Sequence, residues 1–280
     1  EEIQRITTDQ ALNFNADGYG HLEFIAWKRR HNLDSFSDTV QEIDDELIEF
    51  SEDEYNLRKE VATAYHTLDK LGWIESIYQH ITATLPNDDN VMLINAYGLE
   101  FGEVTIENLM EVTMNGTVLY EGNSVRRGFI NPSGLALHAA VHEARADARV
   151  VMHCHNDALS AISVHKDGLS LDVMNTGYRE LIGEIGYHDF DSLSLAINKT
   201  ELGNLLQNGS NVILLRNHGI LTIGETVKDA FNRLYYTIHT CQAQIKTMIN
   251  QNKVRVDTNT RVCDFGSYSY HDAWSRYISN

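Results

Sequence analysis

Val150-Val151-Met152-His153-Cys154-His155 is an apolar, β-branched run that ends in two imidazoles two positions apart. In a strand, the period of two puts both rings on one face. Two imidazoles at a strand end can grip one divalent cation. A third stands in the next strongly patterned segment, Asn211-Val212-Ile213-Leu214-Leu215-Arg216-Asn217-His218-Gly219. Three neutral histidines and one open position are the minimum for a catalytic metal site. Imidazole is a ligand of intermediate softness, so zinc, iron, manganese, cobalt and nickel all suit it. Cys154 alternates to the opposite face and reads as a buried core thiol.

The elements that must position these residues are legible from periodicity. Leu57, Val61, Ala64, Tyr65, Leu68 and Leu71 recur at helical spacing, and Gly72 ends the run. Strands are expected over 77–85 and 91–95, separated by the turn-forming 86–90. Two more, 111–114 and 118–120, are joined through Asn115-Gly116, a strong hairpin signal. An amphipathic helix over 135–145 precedes the His153 strand, and a short helix over 158–165 follows it. A strand over 185–190 and a helix over 200–207 come next. Strands over 211–215 and 220–223 flank the Asn217-His218-Gly219 turn. A long helix over 225–251 carries Val227, Ala230, Leu234, Ile238, Cys241, Ile245 and Met248 as its core stripe.

A chain of 280 residues can hold one large α/β domain with terminal additions. The organisation expected is an acidic extension over 1–53, a domain over 54–250 and a tail over 251–280. Asp and Glu outnumber Lys and Arg by 40 to 22, so bulk contact with nucleic acid or an anionic membrane is disfavoured. No apolar run approaches the ~18–20 residues of a membrane span, and no basic-then-apolar leader opens the sequence. The three cysteines, Cys154, Cys241 and Cys263, form no CxxC pair and fit a reducing cytoplasm.

Residues 134–148, Gly-Leu-Ala-Leu-His-Ala-Ala-Val-His-Glu-Ala-Arg-Ala-Asp-Ala, with the His-Cys-His strand behind them, resemble the class II aldolase/adducin family. So do 213–226, entering the long helix, and Tyr187-His188-Asp189-Phe190 between those blocks. Upstream, 72–82 and 93–98 resemble the family's first substrate-binding loops. The resemblance runs from about residue 54 to 250. It implies an α/β fold, a three-layer α/β/α sandwich with a central mostly antiparallel sheet. It also implies a homotetramer with active sites at subunit interfaces, and one divalent metal ion on His153, His155 and His218, zinc foremost.

In the aldolases a glutamate before the helix completes the site and moves the substrate proton. Alignment on Leu137-His138 puts Gly134 in that place, and glycine can neither ligate nor take a proton. The proton task then falls to His80, Tyr187, His188, or a group supplied by the metal or a neighbouring subunit. His80 and Thr82 stand where the aldolases carry an Asn and a Ser that hold the substrate phosphate or carboxylate. Ser133 and Gly134 can frame an anion at the following helix start, with a plain helix cap as the rival. Arg126 and Arg127 can clamp a substrate carboxylate or only offset nearby acids. Glu143 and Asp147 read as surface charge. Tyr268 and Tyr270 lie in the region that family enzymes fold over a neighbour's site.

The function expected is that of a metal-dependent lyase, a decarboxylase or an aldolase-like enzyme of C–C cleavage. Its substrate would be a small keto or hydroxy acid, or a sugar-derived molecule. The alternatives are a non-catalytic adducin-like assembly protein and a non-haem iron oxygenase on the same histidines. The expected partners are a small-molecule substrate and other copies of the chain, with neither nucleic acid nor membrane.

Overall fold

Ser51 starts the first helix by accepting the Glu54 amide, and three acidic residues fill the first turn, where the positive end of the helix favours them. This helix, α1 (Glu52–Lys70), buries Val61, Ala64, Tyr65 and Leu68, its helical stripe. The structure is a computed structural model and describes residues 50–75, 77–124, 128–169, 181–189 and 199–249. The expected acidic extension up to residue 49, Arg126, Arg127, Tyr268 and Tyr270 lie outside the described residues.

Eight strands form one sheet. They are β1 (His80–Leu85), β2 (Asp88–Asn95), β3 (Leu109–Thr113), β4 (Val118–Tyr120), β5 (Val150–Cys154), β6 (Ile185–Asp189), β7 (Val212–Arg216) and β8 (Ile220–Gly224). Their spatial order is β4-β3-β2-β1-β5-β8-β7-β6. Every pairing is antiparallel except β6 with β7. The remaining helices are α2 (Pro132–Ala144), α3 (Asp157–Ser163), α4 (Lys199–Gln207) and α5 (Val227–Ile249).

Strand alternation divides the core into two layers. Val150, Met152 and Cys154 join Val212, Leu214 and Ile220 in one cluster, under residues of α1, α3 and α5. Val151 joins Ile213, Leu215, Leu221 and Ile223 in the other, under Leu137, Ala140 and Val141 of α2 and Leu202 and Leu206 of α4. Each such fully buried aliphatic side chain stabilises by ~1.5–3 kcal/mol. The α/β/α sandwich around a mostly antiparallel sheet is therefore as expected. No helix among the described residues is long and apolar enough to cross a membrane.

The boundaries differ from the periodicity reading at two strand starts. Strand β1 starts at His80 rather than residue 77, and β2 starts at Asp88 rather than residue 91. Asp88, Asp89 and Asn90 are exposed beyond the core, so they pair without an apolar pattern to announce it. At the predicted hairpin, Gly116 adopts a φ of 91°, which suits glycine.

Tyr65 ties α1 to the strand that begins with His80. Its buried hydroxyl accepts the Ile81 amide at 2.7 Å and lies 2.8 Å from both the Ile81 carbonyl and Asn95 Oδ1. Tyr65→Phe strands a buried N–H, so a loss of ~1–3 kcal/mol in denaturant unfolding is expected. A loss under ~0.5 kcal/mol would contradict this account of the junction.

Candidate metal centre

Strand pairing sets His153 directly beside His80, and the two rings stack at 4.9 Å and 27°. His155 lies one residue past the end of β5. His218 is delivered by the turn between β7 and β8, where Asn217 takes a φ of 58°, a conformation Asn tolerates better than most residues. Gly219 lets this turn press against the β5 end. A side-chain carbon there would lie 2.6 Å from both the Cys154 carbonyl oxygen and His155 Cδ2. Cys154 faces away, as alternation requires, and its thiol donates to the Trp73 carbonyl at 3.3 Å.

The three Nε2 atoms converge. His153 and His155 are 2.7 Å apart there, and each is 3.1 Å from His218. The outer nitrogens decide what the inner ones present. His153 Nδ1–H donates to the Ile220 carbonyl at 2.9 Å, because a carbonyl can only accept. His155 Nδ1–H donates to the Glu75 carboxylate at 3.0 Å. In neutral rings so arranged, both Nε2 atoms carry bare lone pairs aimed at one point. Lone pairs converging at such distances call for a shared cation, and an imidazole steered by a carbonyl or carboxylate is the usual state of a metal ligand. Burial holds His155 at about 4. Burial and then the His155 imidazole hold His218 at about 4. Burial and four neighbouring imidazoles push His153 well below the ordinary range. Neutral rings are the form that binds metal. The donor set therefore fits a divalent ion.

A second group of histidines lies behind His80. Its Nδ1 is 2.9 Å from His138 Nε2. Thr82 Oγ1 sits 2.6 Å from His138 Nδ1 and 2.8 Å from His142 Nε2. His142 Nδ1 donates to the Ala148 carbonyl at 2.5 Å. Burial, then the His155 and His218 imidazoles, push His80 down to about 3. Burial first, with Arg149 adding to it, pushes His142 to about 4 against the Ala148 bond.

These buried neutral rings predict acid sensitivity. His142 titrates at about 4 folded and near 6.5 free. Below that upper value the unfolded chain binds a proton that the folded one refuses. Stability present at neutral pH is thus lost as pH falls from 6.5 to about 4, by about 1.4 kcal/mol per pH unit for each such ring. Denaturant titrations across this window are expected to show that slope, and a flat profile would contradict it.

The other expected site residues divide. Thr82 is fully buried, with its hydroxyl engaged by two imidazoles. At the start of α2, Asn131 Oδ1 accepts the Ser133 amide at 3.2 Å, the Gly134 amide at 3.4 Å and the Ser133 hydroxyl at 2.9 Å. Asn131 is therefore the cap of this helix. Gly134 packs directly against His80: a side-chain carbon would lie 2.3 Å from His80 Nε2. Tyr187 is not brought to the histidines. Its hydroxyl accepts the Leu169 amide at 3.1 Å, and its ring lies under Arg216. His188 is buried with Nδ1 3.5 Å from Glu201. Glu143 and Asp147 are exposed, and Asp147 pairs with Arg145.

Glu75, His138 and His142 were not singled out by sequence. His138 and His142 stand four apart on one helix, so their shared face was readable. Nothing in the pattern around Glu75 marks it.

Comparisons with known proteins bear on the family and the fold. The family described as Class II Aldolase and Adducin N-terminal domain matches residues 59–245. A Caulobacter vibrioides relative named "Putative aldolase class 2 protein" is 33% identical over 200 residues, covering 71% of this chain and 75% of its own. Rat alpha-adducin is also 33% identical, over 202 residues, but those are 72% of this chain and only 27% of the adducin. Among solved structures, an aldolase II superfamily protein from Pseudomonas syringae shares 29% identity with a TM-score of 0.71, covering 82% of this chain and 93% of that one. The L-fuculose 1-phosphate aldolase of Glaciozyma antarctica, 24% identical over 73% of this chain and 78% of its own, shares the fold with a TM-score of 0.64. With its sheet order, its converging histidines and these matches, the chain belongs to the class II aldolase/adducin family.

Proposed function

We propose that this chain is a metal-dependent lyase, acting by decarboxylation or aldolase-like C–C cleavage on a small keto or hydroxy acid or a sugar-derived substrate. The observation that carries the reading is the convergence of three Nε2 atoms within 3.1 Å, two of them bared by hydrogen bonds at the far nitrogen. His153, His155 and His218 hold one divalent ion, zinc before iron, manganese, cobalt or nickel. When bound, such an ion supplies Lewis-acid stabilisation of the negative charge that develops on a substrate oxygen.

The chain's own residues do the rest. Glu75 and the Ile220 carbonyl hold two rings in the ligating tautomer. Gln79 steadies His155 by donating to its carbonyl at 2.9 Å. His80 stands beside His153 and above Gly134, where the aldolases place their glutamate, and its Nε2 lone pair is the acceptor offered to the reacting proton of the substrate. We assign this role to His80 and not to Tyr187, whose hydroxyl is held at Leu169. Ser133 and Gly134 line the substrate side of the α2 turn, and Thr82 acts through the rings it touches. The working unit is a cytoplasmic homotetramer with sites between subunits. Residues 54–250 form its domain, flanked by an acidic arm and a C-terminal tail.

The adducin relatives favour a second reading, an assembly or binding protein that keeps the fold. Elemental analysis of protein purified without a histidine tag or chelator separates the two. About one divalent ion per chain, with turnover in a screen of keto and hydroxy acids, is expected. No metal after reconstitution would overturn the enzyme reading in favour of the scaffold. Iron together with substrate-dependent O₂ uptake would move the assignment to an oxygenase.

A further inference from the structure

His138 and His142 are fully or almost fully buried, and neither belongs to the three converging ligands. Their hydrogen bonds run in one direction only, which can be assigned from the far end. The Ala148 carbonyl only accepts, so His142 keeps its proton on Nδ1. His142 Nε2 is then bare and takes the single proton of Thr82 Oγ1 at 2.8 Å. With that proton committed, Thr82 Oγ1 accepts from His138 Nδ1–H at 2.6 Å. His138 Nε2 is bare in turn and accepts from His80 Nδ1–H at 2.9 Å. Reversing any one link would set two donors or two acceptors face to face. His80 Nε2 comes out bare, and among the described residues no protein group bonds to it. It stands against Gly134, which has no side chain to cover it.

We propose that this chain of Ala148, His142, Thr82 and His138 locks His80 in its Nδ1–H tautomer and so presents Nε2 as an acceptor for a substrate hydroxyl. The claim rests on the metal-centre reading for where the substrate sits. A hydroxyl brings a proton to that nitrogen. A phosphate dianion brings only lone pairs and is repelled. The subsite therefore selects a hydroxyl where a phosphate-binding relative would take an anion. The chain ends on a carbonyl, which cannot take up a proton, so it holds orientation and does not conduct charge away. Thr82, His138 and His142 are positioning residues.

The test is ¹⁵N NMR of the histidine-labelled, zinc-supplemented full chain, in which bare and protonated ring nitrogens give separate shifts. His80, His138 and His142 are expected to be protonated at Nδ1 alone. In Thr82→Val, which deletes both middle links, His80 is expected to show mixed tautomers. Thr82→Ser keeps the hydroxyl and is expected to keep the single pattern. A protonated Nε2 on His80 in the unaltered protein overturns the lock, whether or not the variants fold.

Calorimetry with glycerate and 3-phosphoglycerate, which differ at one oxygen, reads the selectivity. Glycerate is expected to bind about tenfold tighter or more, equivalent to about 1.4 kcal/mol. Thr82→Val is expected to abolish that preference, and Thr82→Ser to retain it. Equal or reversed affinities in the unaltered protein overturn the hydroxyl subsite. Absence of bound zinc in the supplemented protein, with the tautomer pattern intact, overturns the metal-centre reading while the lock stands. Failure of both ligands to bind a zinc-loaded protein overturns the hydroxyl subsite.

Discussion

Alanine at His218 is expected to weaken metal binding by ~100-fold or more, beyond the ~10–100-fold typical of losing a ligand's orienting partner. Its Nε2 lies 3.1 Å from both of the others, and no other imidazole among the described residues completes that group. Two nitrogens 2.7 Å apart remain, which is too few for a tight structural or catalytic site. The effect on stability depends on the metal. With metal at ~100 times its dissociation constant, binding stabilises the native state by ~2.7 kcal/mol, and that share is lost in the variant. Without metal that share is absent from both proteins, so the stability difference is expected to be smaller. Melting with and without zinc, and competition against a chelator, measure both arms. An equal melting shift in the two conditions would sink the metal assignment. Glu75→Gln tests the orienting bond and is expected to fall at the mild end of that range.

A methyl group at residue 134 is expected to destabilise the protein and disable its site. On helix propensity alone, Gly134→Ala gains up to ~1 kcal/mol. Against this, the new carbon would lie 2.3 Å from His80 Nε2 and 2.5 Å from Cδ2. His80 cannot swing aside cheaply. Its ring is stacked on His153 and tied to His138 at Nδ1. Overpacking of this kind costs ~1–3 kcal/mol, so the clash wins. A net loss of ~1–2 kcal/mol is expected, with catalytic loss larger than the stability loss implies. The double variant His80→Ala/Gly134→Ala is expected to recover at least ~1 kcal/mol of coupling, since the two sites share one contact. Additive effects would show that the contact is not the cause. By the same geometry, glutamate at 134 alone does not restore an aldolase-like base, because His80 occupies its space. Glycine at 134 and histidine at 80 are one exchange of position, and the missing carboxylate is not a simple deletion.

The sequence by itself determined the layers and picked out the three histidines that converge. Val151 and His153 alternate with Val150, Met152 and Cys154, and the structure divides them between opposite faces of the sheet. The helical stripe of α5 and the hairpin at Gly116 were likewise local patterns with one physical reading. Such features survive because burial on one face imposes a period that composition records. The strand start at Asp88 did not survive, since exposed polar residues pair through their backbones and leave no periodic mark. The site's finer chemistry was equally hidden. Which nitrogen of each histidine faces inward depends on the carbonyls of Ile220 and Ala148 and on the Glu75 carboxylate, and strand pairing and loop closure bring these to the rings. Gly134 looked like a vacancy in the sequence. Only the tertiary structure showed it filled by an imidazole 54 residues earlier in the chain, because antiparallel pairing of β1 with β5 and the docking of α2 set those distant positions side by side.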